Sequence, residues 1–435
     1  IIDLTDVNAD ELTTDDEGVI TNTNLDVAIT LDVSSNTPGD ANSIAINNTF
    51  EILAVAMAAD DTGTKGMIAF YDIAGAQPAF IKNVEVGYLP DAVAFSPNGR
   101  KVVVANEGEP SGDYTVDPEG SISIIELDEN GVIANSASHI TFESFNMSQA
   151  ALEAQGMKFT NPTGRTIKGQ LLDITVAMDL EPEYVTISAD NKTAFVSLQE
   201  NNGIAIVDIE SETVEIKGLG FKDWSIYGLD ASDKDDAVNI RSYPNLMGLY
   251  QPDTVATFNW QGADFVITAN EGDGREYFFD SADEASCLAD GGLEYDEDDG
   301  CLSYIDEIRA EDLTLGEAFD SINNDDSDLG RLKVIAPLGD DDNDGTHEAL
   351  YTYGGRSFSI FDQNGNLVFD SGDDMERITA SIHGASFNND EDENKGDTRS
   401  DAKGPEPEAL AVGEVGGKRY AFIGLERMAG IMVYD

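Results

Sequence analysis

Leu89-Pro90-Asp91-Ala92-Val93, followed by Val103-Val104-Ala105-Asn106-Glu107-Gly108, is the stretch whose reading decides the fold. It recurs as Glu181-Pro182-Glu183-Tyr184-Val185 with Phe195-Val196-Ser197-Leu198-Gln199-Glu200. It recurs again as Gln251-Pro252-Asp253-Thr254-Val255 with Val266-Ile267-Thr268-Ala269-Asn270-Glu271-Gly272. A last copy reads Glu406-Pro407-Glu408-Ala409-Leu410 with Phe422-Ile423-Gly424-Leu425-Glu426. Each copy is a proline, an acid, a short apolar strand, a turn, a second apolar strand and a closing Glu. Self-similarity of this kind predicts a repeat architecture. The acids keep their place in every copy. The repeat therefore brings eight carboxylates to equivalent positions: Asp91, Glu107, Glu183, Glu200, Asp253, Glu271, Glu408 and Glu426.

Strand pairs recur on both sides of these copies. Ile52 to Ala58 precedes Met67 to Ile73 across Asp60-Asp61-Thr62-Gly63. Other pairs flank Ser96-Pro97-Asn98-Gly99, Ala189-Asp190-Asn191, Gln261-Gly262 and Val415-Gly416-Gly417. Short apolar runs separated by Gly, Asn or Asp turns predict β-hairpins. The stretch from Leu332 to Phe369 reads as a four-strand set of its own, giving six units in all. Met147 to Gln155, capped by Asn146, is the best short helix. The pattern predicts an all-β chain, a seven-bladed β-propeller with long acidic loop insertions, with six blades as the alternative. Residues 1–42 read as an acidic leader or an added strand around the run Leu25 to Leu31, and residues 43–435 as the propeller. The chain starts at Ile1 and stops inside a strand at Asp435, which reads as truncation in or before the last blade. Residues 210–250 and 280–325 read as strand-poor acidic loops projecting from one face.

Eighty-five acids face 24 bases, a net charge of −61. Such a field repels nucleic acid and anionic membrane and favours cations as partners. A solubilising acidic surface of the marine or halophilic kind accounts equally well for the excess. No apolar run reaches transmembrane length, so no membrane insertion is expected. The two cysteines, Cys287 and Cys301, bracket a turn-rich acidic stretch. A disulfide there closes a short loop, contributes about 3 kcal/mol in the chain-entropy model and implies an oxidising compartment.

Proline at the start of an innermost strand loses no needed hydrogen bond. The acids after it then approach one mouth of a central channel, and the closing glutamates return beside them. Carboxylates gathered in a poorly solvated place raise each other's pKa unless a cation intervenes. Hard oxygen-binding cations, Ca²⁺ first and other divalent metals after it, suit such a set. The plainer reading is that these acids cap turns or pair with Arg275, Arg356, Arg419 and Arg427. A second motif is independent of the repeat. Asp340-Asp341-Asp342-Asn343-Asp344-Gly345 matches the opening of a calcium loop, with Glu348 at the ninth position. Tyr351 stands where a twelfth-position Glu belongs, so Asp340, Asp342, Asp344 and Glu348 predict a single-loop Ca²⁺ site rather than an EF-hand. The stretches Asp230 to Asp236, Asp296 to Asp299 and Asn388 to Asp397 read as solvated loops, with an ion site as the alternative for each.

With three histidines in the chain, a His-rich zinc or iron site is not expected. No nucleophile elbow, P-loop or HExxH is present. Glu271, Arg275 and His383 are the candidate catalytic residues: a metal-binding acid, a phosphate-binding guanidinium and a general acid. Metal-activated water with a bidentate arginine suits phosphate esters.

Glu181-Pro182-Glu183-Tyr184-Val185, Gly354-Gly355-Arg356-Ser357-Phe358-Ser359-Ile360, Phe369-Asp370-Ser371-Gly372-Asp373-Asp374 and Gly404-Pro405-Glu406-Pro407-Glu408 resemble the choice-of-anchor I family, as does Phe422-Ile423-Gly424-Leu425-Glu426-Arg427. The resemblance covers about residues 43–435. It implies a secreted, extracellular or cell-surface propeller that contacts surface or matrix components; some members carry an alkaline phosphatase label. The layout is also similar to calcium-dependent propeller phytases, a fold-level analogy. Two functions follow as expectations: a calcium-binding structural or binding module, or a metal-dependent phosphoesterase.

Overall fold

The computed structural model describes residues 13–14, 20–22, 29–390 and 395–435. Strands dominate, and helices are few and short. Five antiparallel sheets follow one another in chain order. The first runs through Asp40–Asn47, Ile52–Ala58, Lys65–Asp72 and Ala79–Tyr88. The second runs through Pro90–Phe95, Lys101–Asn106, Ser121–Glu126 and Ser138–Thr141. The third comprises Val185–Ile187, Thr193–Leu198, Gly203–Asp208 and Thr213–Gly218. The fourth comprises Val255–Trp260, Ala263–Asn270, Ser357–Asp362 and Leu367–Asp370. The fifth has three strands, Pro407–Val415, Lys418–Leu425 and Ile431–Tyr434.

Each sheet packs face to face on the next. Ala54, Phe70 and Val84 of the first share a core with Val102, Val104 and Ile125 of the second. Val103 and Ile124 then meet Val185, Val196 and Val207 of the third. Phe195 and Ile204 meet Val255, Val266 and Phe361 of the fourth, and Ile267 and Phe358 meet Ile423 and Leu425 of the fifth. Ile52–Ala58 is buried at every position because both of its faces are covered. That explains its unbroken apolar run, where a half-exposed strand alternates.

The insertions differ from the expected loops. The chain leaves the fourth sheet at Asn270 and re-enters it at Ser357, the partner that Asn270 faces. Between these points, and before the fourth sheet begins, it builds two further sheets. Glu276–Phe279, Gly300–Ile305 and Glu294–Asp296 form one, sealed by the Cys287–Cys301 disulfide. Phe221–Asp223, Leu246–Leu249, Leu350–Thr352, Lys333–Ile335 and Glu307–Arg309 form the other, with Leu246–Leu249 parallel to Leu350–Thr352. Residues 210–250 and 280–325 are therefore not strand-poor. The expected set from Leu332 to Phe369 is divided: its first two strands belong to this insertion, its last two complete the fourth sheet. Packing chose the partners, since the side-chain amide of Asn270 donates to Ser357 and Ser359 from across the insertion.

The predicted helix shortens to Gln149–Glu153, and Asn146 caps nothing there. Its side-chain oxygen accepts from the Ala177 N–H instead. The longest helix, Asp374–His383, was not expected; its buried face carries Met375, Glu376 and Thr379, so a charge interrupts the apolar stripe. Asp40–Asn47 is one strand, so the repeat begins before residue 43. Most of the run Leu25 to Leu31 lies outside the described residues.

Candidate cation site

The repeated phrase aims its acids by a recurring local device. The residue before proline has a left-handed backbone at Leu89 (φ 45°), Gln251 (φ 45°) and Glu406 (φ 46°). That conformation is costly for a non-glycine residue and recurs where structure over-determines it. The Leu89 carbonyl accepts from the Glu107 N–H at 2.9 Å, and the Glu406 carbonyl from the Glu426 N–H at 2.9 Å. Register shifts separate Pro90 from Val93 and Pro407 from Leu410. A bulge re-aims the side chains it carries, here Asp91 and Glu408. The Asn before Glu is wholly buried: Asn106 accepts from the Gly87 N–H and donates to Ser121 and Ser123, fixing the strand end from which Glu107 departs. The Gly after Glu is obligatory at Gly272, where φ is +93° and a Cβ would stand 2.1 Å from the Gly354 nitrogen.

The eight carboxylates lie in one another's electrostatic fields. Burial first, then Glu109, Glu200, Glu181 and Asp91, raises the Glu107 carboxyl well above its ordinary value. Glu183 is raised by burial and then by Glu200, Glu107, Asp253 and Asp91. Burial, followed by Glu271, Glu408, Asp91 and Glu200, pushes Asp253 up to about 8. Burial brings Asp91 to about 6, and burial with Glu271 among its neighbours brings Glu426 to about 7. These acids come from the second, third, fourth and fifth sheets, so one field links four sheets.

Within that field two triads have oxygens within 4.8 Å of one another: Glu107, Glu183 and Glu200, and Glu271, Glu406 and Glu426. They differ in their bases. Glu271 accepts from Lys403 at 2.5 Å and from Gln199 at 2.8 Å. Glu406 accepts from Arg399 at 2.5 Å and Arg427 at 3.3 Å, and Glu426 pairs with Arg427 at 3.2 Å. Among the described residues no base pairs with Glu107, Glu183 or Glu200. Oε2 of Glu183 and Oε2 of Glu200 are buried with no donor at all. Burial pushes Glu200 up to about 7 even though Arg275 lies in its field. An oxygen-only, base-free, largely half-buried triad fits a hard divalent cation. Glu406, fully buried, is the member that sequence reading left out; its signal was the acid that precedes the proline in Glu406-Pro407-Glu408.

Asp340, Asp342 and Asp344 also come together, in a more exposed loop. Asp340 accepts the N–H groups of Asp344 and Gly345 at 3.0 and 2.9 Å, so these oxygens already serve the turn. Glu348 is exposed and stands outside the group.

Arg275 does not face an open site. It is buried, and its five N–H groups go to Glu181, Asp179 and the carbonyls of Thr160 and Asp179. Arg356 is equally enclosed, its terminal nitrogens donating to Glu376 and to the carbonyls of Asp230, Ser400 and Ala402. Neither guanidinium is offered to a phosphate ester, because buried carboxylates and carbonyls claim them first. His383 sits exposed on the last turn of Asp374–His383 and belongs to none of the carboxylate groups.

The Choice-of-anchor I domain model matches residues 6–435. The chain is 29% identical over 320 residues to the Mesenchyme-specific cell surface glycoprotein of Strongylocentrotus purpuratus, covering 68% of this chain and 40% of that protein. It is 38% identical over 113 residues to Gigasin-3a of Magallana gigas, covering 25% of this chain and 39% of that protein. The chain thus spans about two fifths of the length of these curated relatives. Among solved structures, hydrazine synthase of Kuenenia stuttgartiensis aligns with a TM-score of 0.32 at 13% identity, over 91% of this chain and 83% of that one. The β-propeller domain of Cps50 (Swd1) of Myceliophteria thermophila aligns with a TM-score of 0.28 at 10% identity, over 53% and 50%.

Proposed function

The chain belongs to the choice-of-anchor I family, and from that premise we propose that it is a surface-exposed binding module organised by calcium at the meeting point of its sheets. The observation that carries this reading is the triad of Glu107, Glu183 and Glu200, base-free and with two buried oxygens lacking any donor. We read the five sheets as successive blades of one propeller, with the proline-acid step on the inner strand of each blade. Glu107, Glu183 and Glu200 hold the ion. Asp91 and Asp253 supply flanking negative potential from either side. Bound there, Ca²⁺ removes the mutual repulsion that otherwise keeps these carboxyls protonated.

Glu107 directly follows a strand of the second sheet, and Glu183 and Glu200 flank strands of the third. The ion therefore ties two sheets and stiffens the face that carries the mouth of the channel. Such a face presents carboxylates and bound cation to surface or matrix components outside the cell, in keeping with the cell-surface name of the sea-urchin relative. The disulfide of Cys287 and Cys301 suits an oxidising exterior.

Calorimetric titration with CaCl₂ tests the reading. The expected result is saturable binding with proton release below pH 7, since carboxyls must ionise to bind metal. Absence of binding at millimolar calcium would sink it. A parallel assay for phosphate-ester hydrolysis, with calcium and with EDTA, is expected to show no turnover. Turnover abolished by Glu200→Gln would replace the module with an enzyme.

A further inference from the structure

Between the strands Lys101–Asn106 and Ser121–Glu126 the chain makes a closed loop over residues 107–120. Its ends touch. A Cβ on Gly108, whose φ is +74°, would stand 2.7 Å from the Gly120 nitrogen. The Gly120 N–H donates to the Ala177 carbonyl at 3.1 Å. Compact loops with such a closed neck are packed by their own side chains and often carry function. The first residue of this loop is Glu107, a member of the base-free triad.

The tip of the loop is fixed elsewhere. Tyr114 is 3% exposed and has a left-handed backbone, φ 54°, which a non-glycine residue keeps only where its surroundings hold it. The Tyr114 N–H donates to the Ser111 carbonyl at 2.7 Å, and the Ser111 N–H to the Val116 carbonyl at 2.8 Å. The Tyr114 ring meets Tyr277 edge-on, with centroids 5.3 Å apart, and Tyr304 at 6.3 Å. Tyr277 and Tyr304 are cross-strand partners on Glu276–Phe279 and Gly300–Ile305. The backbone seals against the same sheet: a Cβ on Gly112 would stand 1.8 Å from the Phe278 carbonyl oxygen. The Tyr277 hydroxyl donates to the Glu109 carboxylate. Tyr114 shares one buried cluster with Cys287 and Cys301, so the loop is plugged into the insertion that the disulfide seals.

Among the described residues no base directs the Glu107 side chain, so its direction depends on its backbone. On one side that backbone is the strand end, where the Glu107 N–H donates to the Leu89 carbonyl at 2.9 Å. On the other side it is this loop. We propose that Tyr114 is a positioning residue for the cation site: plugged into the disulfide-sealed insertion, it clamps the loop 107–120 and with it the direction of Glu107. The inference rests on the reading of Glu107, Glu183 and Glu200 as the calcium triad. It gives the insertion a task, since the sheet of Glu276–Phe279, Glu294–Asp296 and Gly300–Ile305 supplies no member of the triad yet prepares one that follows a strand of the second sheet. A ligand already held in place has less side-chain freedom to lose when the ion binds.

Calorimetric calcium titration of the intact chain, with peptide-resolved hydrogen exchange over 108–119, tests this. Tyr114→Ala should weaken calcium binding about tenfold, the usual scale for a support behind a metal ligand, and speed exchange in 108–119. Tyr114→Phe keeps the ring contacts and should restore both to native values. Cys287→Ser together with Cys301→Ser should weaken binding in the same direction, and Tyr114→Ala added to that pair should cost little more, because both act on one latch. A faster-exchanging loop with native calcium affinity, in Tyr114→Ala or in the serine pair, would overturn the proposal, and either variant suffices for that result. A loss of affinity that Tyr114→Phe shares in full would overturn it as well. Absence of calcium binding by the native chain would instead remove the calcium reading itself, and this inference with it.

Discussion

The triad of Glu107, Glu183 and Glu200 and the triad of Glu271, Glu406 and Glu426 arise from the same repeated phrase and reach the same crowding. Only the second is neutralised from within. Lys403 and Arg399 come from the stretch that leads into the fifth sheet and Arg427 from the turn between its last two strands, and they close that triad with the chain's own charge. The first triad has no such supply, and two of its oxygens are left without donors. The difference teaches that repetition sets where carboxylates stand, while the neighbouring non-repeated segments decide whether an ion is wanted.

The comparison breaks most visibly if a base is removed. Lys403→Met strands the Glu271 carboxylate, most of whose side chain is buried. Losing one partner of such a pair costs about 3 kcal/mol, to be read by urea unfolding in EDTA. The same variant should gain a calcium response that the second triad lacks in the native chain. Calcium alone gives the next effect: at one hundred times its dissociation constant it should stabilise the native chain by about 2.7 kcal/mol.

A pH series sharpens the contrast. Burial lifts Glu200 to about 7 and Asp253 to about 8. An unfolded carboxyl loses its proton near pH 4. Between about pH 4 and about pH 8 the native state holds more protons than the unfolded one, so stability in EDTA should fall as pH rises through that window. Saturating calcium should flatten the fall, because the ion prefers the ionised form. A stability that rises across the window in EDTA would contradict the crowding of these acids. A smaller effect is expected of Glu183→Gln in EDTA at pH 8: relief of one repulsion, worth about 1.4 kcal/mol per pKa unit removed, in the stabilising direction. Asp342→Asn, in an exposed loop whose oxygens already serve a turn, should change stability by less than about 0.5 kcal/mol.

Much of this was legible in the chain. Proline and acid at fixed spacing marked the strand entries and the closing Glu marked the strand ends, so the periodicity placed Glu107 with Glu183 and Glu200, and Glu271 with Glu426. The cysteine pair was readable from its spacing. The unit count was not, because Ser357–Asp362 pairs with Ala263–Asn270 across an insertion, and local pattern carries no record of a distant partner. Arg275 was misplaced for a similar reason. Asn270-Glu271-Gly272-Asp273-Gly274 beside it looked like an open loop, whereas Asp179 and Glu181, about ninety residues earlier, enclose the guanidinium. Asp230 and Asn388 sat in stretches as polar as any surface loop, and only the buried Arg356–Glu376 pair reveals that they are interior.

The most direct test of the central claim compares calcium affinity in Glu200→Gln with that in Glu426→Gln, by calorimetry at one pH and salt. The account predicts at least a tenfold loss in Glu200→Gln and near-native affinity in Glu426→Gln. Equal affinities in the two variants, or a larger loss in Glu426→Gln, would contradict it.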